Sequence, residues 1–152
     1  MWKARFVLAG ALTACGGEDL PGEYWKVQLS GVENACTGNG ADYSAEYEYR
    51  VVFDGNDITL AIGDDIWATG IAEGCTLNYS SLVWSDERDG YEIEWEILGN
   101  SVVNVGGNGG CTSESDWEGT ETFVVDTSEH PDVQPGCTYT LDVTGQFLKT
   151  VE

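Results

Sequence analysis

The chain has 152 residues, with 27 Asp or Glu against six Lys or Arg, for a formal net charge of −21 at pH 7. That length holds one domain with a real core and is too short for two. The sign of the charge excludes nucleic-acid and anionic-lipid recognition, which run on phosphate neutralisation by Lys and Arg. It leaves a solvated, self-repelling surface, or a patch for divalent cations or a basic partner.

Residues 1–14 carry Lys3 and Arg5 ahead of the apolar run Phe6-Val7-Leu8-Ala9-Gly10-Ala11-Leu12, and every acid lies downstream. A positive segment, a short apolar segment and small residues before a cut site are the parts of an export signal. The run is far below the ~20 apolar residues that span a bilayer, so it does not read as a transmembrane anchor. Leu12-Thr13-Ala14-Cys15 resembles the lipobox of bacterial lipoproteins. The resemblance implies cleavage before Cys15, acylation of its thiol and attachment of the exported protein to the cell envelope. Acyl chains contribute about 0.8 kcal/mol per buried CH₂, and stable anchoring takes two or more. Residues 15–22 would then be the acylated Cys and a flexible tether, opening Gly16-Gly17-Glu18-Asp19. Gly16 after the Cys implies sorting to an outer membrane, where the host has one. A short ordinary leader or a buried first strand, with Cys15 an incidental thiol, is the rival reading.

Residues 23–152 form a single domain dominated by period-two alternation, the signature of strands with one face in water. Residues 24–30 place Trp25, Val27 and Leu29 on one face. In 43–53 the odd positions Tyr43, Ala45, Tyr47, Tyr49, Val51 and Phe53 oppose Ser44, Glu46, Glu48 and Arg50. Ile58, Leu60 and Ile62 mark the next strand, followed by 66–73 and 77–84. Tyr91, Ile93, Trp95 and Ile97 alternate with Glu92, Glu94 and Glu96. Residues 102–105 and 117–126 follow, and Tyr139, Leu141, Val143 and Phe147 close the series. Asp54-Gly55-Asn56-Asp57, Gly63-Asp64-Asp65, Asp89-Gly90 and Gly99-Asn100 supply turn chemistry. Residues 106–110 and 128–136 read as loops. No window beyond the leader shows a helical stripe. The fold class is therefore all-β: an antiparallel meander of eight or nine strands, closed or nearly closed into a barrel, with a β-sandwich as the alternative.

Beyond Cys15 four cysteines remain, Cys36, Cys75, Cys111 and Cys137, an even number that in an exported chain reads as two disulfides. Zinc is a poor rival, because the spacings are wide and His130 is the one histidine. Counting strands alternately up and down pairs Cys36 with Cys111 and Cys75 with Cys137, provided every link reverses the chain. The opening Gly22-x-x-Trp25 and the meander with a mid-chain cysteine resemble the lipocalin-like barrels found among bacterial lipoproteins, though lipocalins carry Gly-x-Trp, one residue shorter. That resemblance implies a binding domain and transfers no individual binding residue.

No nucleophile-and-base pairing, metal-binding helix or phosphate loop is present, so no catalytic residue is assigned. His130, beside Pro131 in an acidic loop, reads as a solvated side chain. Glu121 shares the parity of Trp117, Phe123 and Val125 and is expected to point inward. A carboxylate facing an apolar interior has a raised pKa and is either functional or paired, Arg50 and Arg88 being the available partners. With a second carboxylate it would suit glycan hydrolysis. Calcium is conceivable at Asp54, Asn56 and Asp57, at Asp64 and Asp65, or at Asp86, Glu87 and Asp89, but turn formation explains these residues equally; no metal or other cofactor is assigned. Inward-facing Tyr47, Tyr49, Tyr91, Trp95 and Tyr139, with Glu121, are the candidate ligand-binding residues. They either line a cavity for a small hydrophobic ligand or fill the barrel as core. The functional readings are thus a tethered, non-enzymatic binding domain for a small ligand or partner, a structural envelope lipoprotein with a filled core, and a glycan hydrolase using Glu121.

Overall fold

The computed structural model describes residues 18–34, 36, 44–111 and 115–152. The lipobox with Cys15 lies outside the described residues, as does Tyr43. Nine strands are formed: β1 Gly22–Asn34, β2 Ser44–Asp54, β3 Asp57–Ile62, β4 Asp65–Glu73, β5 Thr76–Ser81, β6 Trp84–Arg88, β7 Tyr91–Val103, β8 Trp117–Ser128 and β9 Thr138–Val151. A 3-10 turn at Val105–Gly107 is the one helical element among the described residues.

The strands form where alternation is cleanest, and the turns fall where the backbone needs freedom. Asp89 and Gly90 have φ of 51° and 83°, the paired positive values of a tight hairpin whose twist matches its strands. Neighbours run β5-β4-β3-β2-β1-β9-β8-β7-β6, and β5 also pairs with β7, from Thr76 opposite Val102 to Ser80 opposite Leu98. That last ladder closes the sheet into a barrel and decides against the sandwich.

β5 and β6 both run antiparallel to β7, one against its second half and the other against its first. They are therefore two parts of one stave, and nine strands make an eight-stave wall. Between them the Ser81 hydroxyl takes the place of a ladder partner, accepting from the Ile97 N–H at 2.8 Å. Gly99-Asn100 is not a turn: β7 runs straight through it, and Gly99 has no positive φ.

The unbroken β7 also overturns the expected disulfide pairing. The bridges are Cys36–Cys137 and Cys75–Cys111, with Cα separations of 5.1 and 5.8 Å. Gly99-Asn100, counted as a reversal between 91–97 and 102–105, is continuous strand, so every later strand swaps direction. Cys137 then joins Cys36 at the upper end, with the 63–64 and 89–90 hairpins, and Cys111 joins Cys75 at the lower.

The lower end is plugged. Trp25 packs edge-on against Trp117 and Phe147, with centroids 5.5 and 5.1 Å apart. The 3-10 turn covers this cluster, Gly107 lying directly on the Phe147 ring, where a Cβ would not fit. Val27, Val51, Leu60, Leu77 and Val103 complete a fully buried floor.

Candidate functional site

Glu121 on β8 is 1% exposed and points into the barrel, as its parity requires. Its cross-strand neighbours are Gly99 on β7 and Leu141 on β9, and Gly99 in turn faces Tyr79 on β5. A Cβ at Gly99 would sit inside the van der Waals envelope of the Tyr79 ring. The bare backbone lets that ring lie across β7, so its hydroxyl donates to Glu121 Oε1 at 2.8 Å. From β2 the Tyr49 hydroxyl donates to Oε1 at 3.0 Å and to Oε2 at 3.2 Å. Gly99→Ala should therefore cost about 1–3 kcal/mol, the usual penalty of overpacking, and release Tyr79 from the carboxyl. Denaturant titration with near-ultraviolet dichroism checks it; an unchanged midpoint and aromatic signal would refute this role.

Desolvation raises the Glu121 pKa from the ordinary 4.5 to about 7, against the lowering effect of the Tyr79 and Tyr49 hydrogen bonds. Burial also pushes both phenols well above their usual range, and the nearby Glu121 charge adds to the shift. No cation and no second carboxylate figures among the groups that set this proton affinity. The expected arginine partners are elsewhere, Arg50 donating to the Pro21 carbonyl at 3.1 Å and Arg88 lying 3.8 Å from Asp89.

Four rings close a loop beside the carboxyl. Tyr49 to Trp67 is 5.2 Å, Trp67 to Tyr79 is 5.8 Å, Tyr79 to Trp117 is 6.5 Å and Trp117 to Tyr49 is 5.9 Å between centroids. These rings fill the middle of the barrel. Tyr49, Tyr79 and Trp117 are buried, whereas Trp67 keeps a partly exposed side.

Trp67 lies on a stretch of β4 at a fault in the wall. β4 pairs with β5 only from Ala68 to Glu73, and no ladder joins the first residues of β4 to β6. Where the two edges part, apolar side chains stand in water: Leu82 is 82% exposed, Ile66 63% and Val83 51%. Trp84, just inside the fault, is partly buried and packs edge-on against Phe123 at 6.0 Å. A separate shallow groove of about 610 Å³ lies on the outer wall, along Thr69, Ile71, Asn78, Leu98, Thr120 and Thr122.

Of the candidate ligand-binding residues, Tyr49, Trp95 and Glu121 are buried inside, and Tyr47 and Tyr139 are partly buried against the core. Tyr91 is corrected: it is 41% exposed at the 89–90 hairpin, beyond the closed part of the wall. His130 is corrected too, being buried rather than solvated. Its ring stands edge-on to Tyr91 at 5.3 Å. Nδ1 accepts from the Asp132 N–H at 3.1 Å, which puts the neutral ring's proton on Nε2, 3.4 Å from Asp89 Oδ2. Sequence reasoning missed Tyr79, Trp67 and Trp84. Tyr79 was visible as the partner in alternation of Leu77, between Asn78 and Ser80, whereas Trp67 lies between Ile66 and Ala68 and carries no such signal.

Of the acids considered for calcium, Asp86 and Glu87 lie in β6 and the others at or beside hairpin turns, and among the described residues no group of three or more His, Cys, Asp or Glu is arranged to hold a metal ion. No family model, curated protein or solved structure matches the chain.

Proposed function

We propose that this chain is an exported, envelope-tethered, non-enzymatic binding protein whose barrel admits a small, mainly apolar ligand through the fault between β4 and β6. The observation that carries the reading is the coincidence of an unpaired stretch of wall with exposed Leu82, Ile66 and Val83 outside and partly buried Trp67 and Trp84 within. Monomeric domains rarely leave clustered apolar side chains in water unless they meet a partner or ligand. An eight-stave barrel has room for side chains or one small ligand, so entry requires a ring to move.

The same side chains set the test. Burying one leucine side chain contributes about 1.5–3 kcal/mol, and 1.4 kcal/mol is tenfold in affinity. Leu82→Glu should weaken binding of a neutral apolar fluorophore, N-phenyl-1-naphthylamine, about tenfold without lowering the melting temperature, because Leu82 contributes little to the core. Equal affinity in the variant, or no binding by the parent domain, contradicts the reading. The filled lower half, from Trp25 to Leu77, favours the second reading, a structural envelope protein, and the absence of any binding would leave that one standing.

Tethering rests on Leu12-Thr13-Ala14-Cys15 and is supported by the two bridges, which suit an oxidising compartment. β1 enters at the lower end, so a tether there leaves the fault, nearer the upper end, facing away from the membrane. Cys15→Ser should move the protein from the membrane to the soluble fraction of its producing cell and abolish incorporation of labelled palmitate. Retention in the membrane would rule out acylation at this position.

A further inference from the structure

Separately from the fault, we propose that the groove on the outer wall is a binding site for an uncharged saccharide chain. The groove, of about 610 Å³, crosses β4, β5, β7 and β8 and has no charged side chain in its lining. The chain around it carries 27 acids.

The side chains that face the groove belong to two rows of cross-strand neighbours. One row runs Ile71, Asn78, Asn100, Thr120, and the next contains Leu98 and Thr122. Neighbouring strands lie about 4.8 Å apart, so the first row is about 14 Å long, an extended track rather than a point contact. The Asn100 amide donates to Asn78 Oδ1. That bond leaves the Asn78 NH₂ and the Asn100 carbonyl as a donor and an acceptor side by side, and Thr120 and Thr122 add hydroxyls that do both. Ile71 and Leu98, each about half exposed, supply apolar surface at the same place.

This combination selects its partner by chemistry. An anion is repelled by the carboxylates that flank the track: Glu96 and Glu118, two residues along from Leu98 and Thr120, and Asp142 opposite Thr120. A cation finds its countercharge on those acids and none inside the groove. A second copy of the chain brings a net charge of −21 against the same sign. An extended peptide has no strand edge to join, since β5 is laddered to β4 and β7, and β7 to β8. A purely apolar partner would leave the amides and hydroxyls without hydrogen bonds, at a desolvation cost for each. A neutral molecule with many hydroxyls and C–H faces meets every condition. Its hydroxyls exchange hydrogen bonds with the Asn and Thr side chains, and its C–H faces cover Ile71 and Leu98.

Affinity electrophoresis of the full chain in its oxidised form tests this with four soluble polymers. Dextran, galactomannan and hydroxyethylcellulose are uncharged, and carboxymethylcellulose is anionic. At least one uncharged polymer should retard the protein, and carboxymethylcellulose should not. Asn100→Asp puts a negative charge in the track with little change of shape and should weaken that retardation at least tenfold in apparent Kd, as should Leu98→Glu. Both positions are exposed, so the melting temperature should stay at the parent value. Binding of N-phenyl-1-naphthylamine, which reports on the fault, should also be unchanged. Retardation by none of the uncharged polymers, equal retardation by carboxymethylcellulose, or undiminished retardation of Asn100→Asp overturns the proposal. Loss of fluorophore binding in Asn100→Asp would overturn it too, because groove and fault would then be one site.

Discussion

Replacing Cys36 and Cys137 together by serine should lower unfolding stability by about 4–5 kcal/mol, the largest single effect we expect. The bridge spans a sequence separation of 101 and ties the chain before β2 to the loop before β9. A cross-link removes loop-closure entropy from the unfolded chain, and the gain grows with the logarithm of the loop. For Cys75–Cys111, separated by 36, the same relation gives about 4 kcal/mol. The informative quantity is the order of the two losses, about 1 kcal/mol apart. Denaturant titration of the two single-bridge proteins measures it. Both start from one parent, so errors in the common reference cancel. If losing Cys75–Cys111 proves the more damaging, chain entropy is not what these bridges contribute. A loss of this size is a large part of the 5–15 kcal/mol typical of a domain, so both variants are best studied below room temperature.

The second large effect concerns Glu121 and has a sign that depends on pH. Its folded pKa of about 7 lies above the ordinary 4.5, so between these values the native protein holds a proton that the unfolded chain releases. The contribution is fully present below about pH 4.5 and is lost as pH rises through 7. At 1.36 kcal/mol per unit, the loss is about 3 kcal/mol. Gln does not titrate and keeps an oxygen for the two phenols. Glu121→Gln should match the parent near pH 4.5 and exceed its stability by about 3 kcal/mol at pH 8.5. The many other acids also repel one another as pH rises, but they do so in both proteins, and the difference isolates one carboxyl. Parallel stability curves would mean that Glu121 is ionised and comfortable in the fold.

The strands at 44–53, 91–97 and 139–147 were legible because their outward faces carry Glu, Asp and Thr, which makes the two-residue period plain. So was the inward aim of Glu121, for parity within β8 is a local property. The stave of β5 and β6 was legible only as one strand over 77–84, which hid the break at Leu82 and Val83. One misread link, Gly99-Asn100, inverted the direction of everything after it and thereby exchanged the disulfide partners. Glycine after a strand signals a turn, but Gly99 instead makes room for the Tyr79 ring from β5.

From the order of residues alone came the class of fold, the cysteines that bridge, the acidic exterior and an inward carboxyl on β8, because each follows from alternation, count or parity along one segment. Tertiary structure alone decided that the carboxyl meets Tyr49 and Tyr79 rather than an arginine, that Trp67 stands at a break in the wall, and that His130 is buried under Tyr91. These depend on which staves become neighbours when the sheet closes, and closure is set by pairings between residues distant in sequence, whose local patterns carry no record of one another.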